Sequence, residues 1–184
     1  MARKLFAERG YAATAIEEVA RKARVTRGAL YHHFRDKQDL FTAVFLGEEQ
    51  KLISEIALEA AKNPDAWNRL VSGCKAFLDA CLDPAVQRIV LTDAPAVLGW
   101  ARWREIDAEY GLRMVREGLA AAIDGGFIEK QPVEPLAHLL LGALNEAAML
   151  TAHSRDGSPE RKEVAGSVMR LLSGLRIGRA GKPG

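Results

Sequence analysis

Residues 14–41 read TAIEEVARKARVTRGALYHHFRDKQDLF, a stretch that encodes two short helices joined by a tight turn, with a third helix opening at its end. Thr14 begins the first helix: its hydroxyl can accept from the free N–H groups while Glu17 reaches back, the Thr-x-x-Glu capping box. Ile16, Val19, Ala20 and Ala23 then share one face at helical spacing, with Glu17, Glu18, Arg21 and Lys22 outward. Arg24-Val25 forms the turn, and apolar Val25 is expected to point back into the small core. Thr26 suits the N-cap of the second helix, which runs to about Phe34 with Leu30 and Phe34 facing inward, four apart. Arg27, Ala29, Tyr31, His32 and His33 cover the rest of its surface. Asp36 caps the third helix from Lys37, whose buried stripe begins Leu40, Phe41, Val44, Phe45.

A second helix so short, basic and aromatic is unlike ordinary core and suits presentation to a DNA groove. Two helices and a turn, the second led by Thr-Arg-Gly, match the docking scheme of a helix-turn-helix. In that scheme the leading residues meet base edges and the helix N-terminus donates N–H groups to phosphates. Gly28 lets the backbone approach closely. Arg24 in the turn offers a phosphate contact. Charge follows the same division: residues 1–47 carry +4 and the remainder −2, giving +2 overall. A basic head on a slightly acidic body suits nucleic-acid binding by the head alone.

Together with Leu5-Phe6-Ala7-Glu8-Arg9-Gly10-Tyr11 ahead of it, this run resembles the DNA-binding domain of the tetracycline-repressor (TetR) family of regulators. The matching residues are Phe6, Gly10, Tyr11, Thr14, Ile16, Ala20, Ala23, Val25, Thr26, Gly28, Leu30, Tyr31, Phe34, Lys37 and Leu40, over roughly the first quarter of the chain. The resemblance implies that Thr26, Tyr31, His32 and Lys37 hold phosphates and that Arg27, Gly28 and Ala29 sit nearest the bases. Thr14 and Arg24 complete the expected DNA-binding set. There are two departures. Glycine usually occupies the place of Arg24, where a left-handed backbone is often needed and costs a non-glycine residue on the order of 1 kcal/mol, and the family's first helix starts some ten or more residues earlier than the Ala2–Arg9 segment here. The second departure implies a truncated first helix, with helical residues upstream of Met1.

Beyond the head the chain reads as helices punctuated by Pro and Gly. A long helix from Lys37 to about Lys62, roughly 39 Å, connects head to body and buries Leu52, Ile53 and Ile56 along its continuation. Asn63-Pro64-Asp65 stops it, with Pro64 expected at the first position of a helix reaching Leu82. Asp83-Pro84 opens a shorter helix through Leu91, residues 92–99 read as irregular, and a helix from about Trp100 to Ile123 ends at Gly125-Gly126. Two more follow, from about Val133 to His153 and from Ser158 to Leu175, before a Gly-rich tail expected to be disordered from 177.

The penultimate helix is apolar almost all round, so it must be covered on both sides. The last helix offers a single apolar stripe. Their pairing with their own copies in a four-helix bundle would satisfy both, and the resemblance implies the same dimer. The expected interface is Leu136, Leu140, Leu144, Val164, Val168, Leu171 and Leu172. The resemblance also implies an effector pocket in the body. Its candidate residues are Asp93, Trp100, Trp103, Tyr110, Asn145 and Met149, because aromatic walls with a few polar groups suit a small organic ligand. Asn145 in particular, polar on a largely apolar helix, requires a partner.

Other functions find little support. Cys74 and Cys81 lie seven apart, about 10 Å along one helix, too far for a disulfide spanning roughly 7 Å at most. They read as buried thiols in a reducing compartment. His32-His33 are adjacent and diverge on a helix, and no His-x-x-x-His, Cys-x-x-Cys, phosphate-binding loop or dinucleotide glycine pattern occurs, so no catalytic residue, metal or cofactor is expected. No secretory signal or bilayer-length apolar run is present, and a cytoplasmic protein without membrane contact is expected. The sequence therefore predicts an all-α fold: a DNA-binding domain over 1–45, a helical effector-binding and dimerisation domain over 46–176, and a tail over 177–184. The expected function is a homodimeric, ligand-responsive regulator on a pseudo-palindromic double-stranded DNA operator, released by a small organic effector. The alternative is a dimeric sensor that has lost DNA binding.

Overall fold

The structure, a computed structural model, describes residues 1–152 and 159–177, and among these it is all-α apart from one isolated antiparallel bridge, Ile128 to Arg176. His153, Ser158 and the tail from 178 lie outside the described residues. Ile177, assigned to the disordered tail, is still bonded: its N–H donates to the Phe127 carbonyl at 2.9 Å.

The head comprises α1 (Ala2–Ala13), α2 (Ile16–Ala23) and α3 (Arg27–His33), followed by the long α4 (Lys37–Ala61). Helical geometry in α1 is interrupted at Gly10 (φ 77°), whose bare Cα lies against the Arg88 side chain; a Cβ there would stand 3.3 Å from Arg88 Nη1. Thr14 is not the cap of α2. It is only 1% exposed, and its hydroxyl donates back to the Gly10 carbonyl at 2.8 Å, so the N-cap falls to Ala15 and no capping box with Glu17 forms. The kink at Gly10 turns that carbonyl toward Thr14, and a buried acceptor attracts the hydroxyl more strongly than a solvated helix end. Arg24 does take the left-handed conformation (φ 58°, ψ 38°), the sole non-glycine residue with positive φ among those described. Its N–H bonds the Arg21 carbonyl and that of Val25 bonds Ala20 at 3.1 Å, the paired arrangement of a Schellman cap. That cap swings Val25 outward, so it is exposed and not part of the core. Thr26 and Asp36 cap α3 and α4 as expected, accepting from the N–H groups of Ala29 (3.1 Å) and Asp39 (2.8 Å).

In the body, α5 (Ala66–Ala80) starts two residues after Pro64, because Asp65 is the cap and accepts from Asn68 N–H at 2.8 Å. Residues 92–99, expected to be irregular, are helical through Leu98. α6 (Pro84–Val86) widens into a π-helical stretch over Gln87–Asp93 and narrows again in α7 (Ala94–Leu98), with Pro95 in the first turn of α7. A π-turn changes the hydrogen-bond register, so the N–H that Pro95 lacks is lost where the ladder is already broken. Gly99 (φ 78°) ends this path. α8 (Trp100–Asp107), a second π-helical stretch over Ala108–Leu112, and α9 (Arg113–Asp124) then form the continuous helix anticipated from about Trp100 to Ile123, one residue longer at its end. α10 (Val133–Ala152) and α11 (Pro159–Ser173) complete the body.

Two hydrophobic clusters hold these helices. The first joins Leu5, Phe6, Val19, Leu30, Phe41 and Phe45 of the head to Ile89, Val90, Ala94, Trp103 and Ile106 of the body, so the head is seated on the π-helical stretch by shared core. The second packs α5, α9, α10 and α11 through Trp67, Leu70, Leu119, Leu140, Leu144, Val168 and Leu172. This corrects the expected dimer stripe. Leu140, Leu144, Val168 and Leu172 are buried within the protomer, with Leu136 and Val164 partly buried beside them. α10 lies on α11 of its own chain, and each such leucine gains roughly 1.5–3 kcal/mol from that burial. Of the seven, Leu171 alone is exposed, at 68%, and Leu139 on α10 is exposed at 72%.

Candidate nucleic-acid interface and ligand cavity

The turn and α3 form a short ridge on the head. Leu30 anchors it in the core, while Arg24 to Ala29 and Tyr31 to His33 are all exposed. The N-terminal N–H groups of α3 are therefore at the surface beside Arg24 and Arg27. Arg27 lies 3.4 Å from Glu17 and stacks at 5.3 Å over the Tyr31 ring, both exposed arrangements that a polyanion can displace. Nothing stands within 4 Å of a Cβ built on Gly28 except the edge of Thr26 at 4.0 Å, so the backbone there is open to approach.

Two expected DNA contacts are placed differently. Thr14 is buried and has no access to solvent. Lys37 donates to the Ala12 carbonyl at 3.2 Å and sits 4.3 Å over the Tyr11 ring, so it clamps the end of α1 to the start of α4. The remaining candidates, Arg24, Thr26, Arg27, Gly28, Ala29, Tyr31 and His32, lie together on the ridge.

The body encloses a cavity of about 460 Å³, within the range of small-molecule sites. One wall is α4 from Glu49 to Ala61, through Leu52 and Ile56; α5 contributes Leu70, Cys74 and Phe77, and α10 contributes Leu141, Leu144 and Asn145. Both π-helical stretches reach it, with Val90 and Leu91 from the first and Gly111 from the second. Of the six expected effector residues, Trp103 and Asn145 line this cavity and four do not. Trp100 is exposed on the outside, 4.9 Å from the Trp103 ring. Tyr110 packs against the first core cluster, and Met149 is partly buried off the cavity wall. Asp93 faces the head, where its carboxylate accepts the Tyr11 N–H at 2.7 Å. One residue of helix rotates a side chain by about 100°, and the π-turns shift the phase that regular spacing would assign.

The polar groups of the cavity are mainly acids. Asp107 is buried and accepts from Asn145 Nδ2 at 3.0 Å, with Arg104 at 3.9 Å; burial raises its pKa while those two partners pull it down. Glu49 is pushed up to about 8, chiefly by burial and secondly by the Asp107 charge. Sequence reasoning missed Glu49, yet a signal was present. Glu48 and Glu49 occupy the inward register of α4 between Phe45 and Leu52, where apolar residues belong. Glu48 is satisfied by the Arg3 guanidinium, one of whose bonds is 2.8 Å long. Cys74 and Cys81 are pushed up to about 12 by burial, so both remain inert thiols.

Comparison with known proteins bears on both halves. Residues 1–44 match the family described as bacterial regulatory proteins, tetR family, and residues 67–175 match the tetracyclin repressor-like C-terminal domain. The Transposon Tn10 TetC protein of Escherichia coli is 32% identical over 143 residues, covering 77% of this chain and 71% of that one. The HTH-type transcriptional regulator AcrR of Shigella flexneri is 44% identical over 59 residues, 32% of this chain and 27% of its own. Among solved structures, a TetR-family transcriptional regulator from Pectobacterium atrosepticum superposes with a TM-score of 0.85 at 34% identity, covering 96% of this chain and 91% of that chain.

Proposed function

The chain belongs to the TetR family of bacterial transcriptional regulators, and on that premise we propose a homodimer that grips a pseudo-palindromic operator with α3 and is released when a small organic molecule fills the body cavity. The observation that carries this reading is the ridge from Arg24 to His33, exposed everywhere except at its anchor Leu30. Arg27, Gly28 and Ala29 lead into the major groove; Arg24, Thr26, Tyr31 and His32 meet phosphates on either side. Residues 1–45 serve as the DNA-binding domain and residues 46–176 as the effector and dimer domain. The partner copy docks on the α10–α11 face that carries Leu139 and Leu171. The protein acts in the cytoplasm, where its operator is; no described helix is long and apolar enough to cross a membrane.

Release is coupled through two elements that touch both sites. α4 lines the cavity from Glu49 onward and carries Phe41 and Phe45 in the head core. The π-helical stretch places Val90 and Leu91 on the cavity and, two residues later, Asp93 on the Tyr11 N–H. A ligand that favours one setting of these elements shifts the population of α3 orientations. The test is selection of duplexes from a random pool, followed by retardation across a salt series. Enriched half-sites about one helical turn apart, roughly 34–36 Å, with affinity falling steeply as salt rises, are expected. A well-formed dimer that retains no duplex at low salt overturns the assignment in favour of a sensor without DNA binding.

A further inference from the structure

Within the cavity on which the effector reading rests, one buried carboxyl group has no partner among the described residues. Glu49 is 6% exposed and lines the cavity, yet no hydrogen bond or ion pair joins it to another described residue. Buried polar side chains are satisfied in the large majority of cases, so an unmet one marks a place kept for something else. Trp103 of α8, which lines the same cavity, also has its Nε1 buried without an acceptor.

The titratable groups that face Glu49 are Asp107 of α8 and the Cys81 thiol beyond α5. Neither is a cation. Arg104 is directed at Asp107, 3.9 Å away. Arg69 also lines the cavity, but its guanidinium donates to the Asn63 and Pro64 carbonyls at 2.9 Å each, beyond the Ala61 end. Glu117 adds a further acid to the lining. From Glu49 to Ala61 the α4 wall extends about 18 Å, and the side chains between are Leu52, Ile53, Ile56, Ala57 and Ala60.

We propose that the effector is an elongated apolar molecule bearing an organic cation at one end, seated with that cation on Glu49 and its apolar body along α4. In the empty cavity Glu49 keeps its proton, since burial and the Asp107 charge both oppose ionisation. An incoming ammonium reverses that balance: Glu49 loses its proton to solvent and the pair forms in a medium of low dielectric, where opposite charges attract strongly. A carboxylate ligand of the same length instead meets Glu49, Asp107 and Glu117, and no cation of the described lining residues is free to receive it.

The experiment compares decylamine, 1-decanol and decanoate, each below its aggregation limit, by calorimetry and thermal shift on the full chain. Decylamine is expected to bind at least tenfold more tightly than decanol, and decanoate more weakly than decanol. Because binding expels one proton from Glu49, decylamine affinity rises about tenfold per pH unit from pH 6 and levels off near pH 8; decanol affinity stays flat. Glu49→Gln brings decylamine down to the level of decanol and removes the pH dependence. The wild-type pH series needs no variant, so the proposal stays testable if Glu49→Gln folds poorly. Decanoate binding as tightly as decylamine, or a pH-independent decylamine affinity, overturns the cation assignment while leaving the cavity as an effector site. If none of the three binds, both the cation assignment and the cavity reading fall.

Discussion

Replacing Thr14 by valine separates two roles that this residue could play. Thr14 is 1% exposed, and its hydroxyl donates at 2.8 Å to the Gly10 carbonyl at the break of α1, with the Leu5 carbonyl at 3.3 Å. Valine keeps the shape but leaves a buried acceptor unpaired, a loss of about 1–3 kcal/mol. The added methyl group, worth about 0.8 kcal/mol when buried, offsets part of it. The net expectation is destabilisation by up to about 2 kcal/mol. For a chain of 184 residues that corresponds to a fall in Tm of up to about 8 °C, measured at one fixed protein concentration because the Tm of any dimer depends on it. The assay is thermal unfolding by circular dichroism beside operator retardation at a temperature where both proteins are fully folded. A structural Thr14 lowers Tm and leaves affinity within twofold. If instead Tm is unchanged and affinity drops tenfold, the side chain reaches DNA and the burial argument is wrong.

Further tests probe the other sites. Tyr31→Ala should abolish retardation of the selected operator while light scattering still reports a dimer, since Tyr31 is exposed on the ridge, where it lies under Arg27. Leu171→Glu should shift the protein toward monomer without lowering monomer stability, whereas Leu172→Ala, at a buried position, should cost about 2–5 kcal/mol by urea unfolding. Asp93→Ala removes the acceptor of the Tyr11 N–H and should cost about 1–3 kcal/mol; unchanged stability would show that the head is seated without it. Glu49 makes the ligand-free protein sensitive to base. Its folded pKa of about 8 lies above the ordinary carboxylate value, so the folded state holds a proton that the unfolded chain has released. Stability should therefore fall between about pH 4.5 and pH 8, by about 1.4 kcal/mol per pH unit from this group, and Glu49→Gln should flatten that slope in urea titrations.

The sequence alone determined whatever depends on neighbours along the chain. Caps at Thr26, Asp36 and Asp83, the turn at Arg24, and the ridge with Leu30 as anchor are interactions across three to six residues. Helix-turn-helix spacing and charge asymmetry were legible for the same reason. What only the tertiary structure decided is which way a side chain faces once two competing partners exist. Thr14 could cap α2 or bond across the Gly10 kink, and the buried carbonyl won. Leu140, Leu144, Val168 and Leu172 could face a second copy or their own protomer, and packing of α10 on α11 turned them inward. Asp93 could line the cavity or face the head, and the π-helical turn over Gln87–Asp93, which resets the helical phase there, set it on the Tyr11 N–H. Apolar periodicity cannot distinguish burial within a chain from burial against a partner, since both remove the same surface from water.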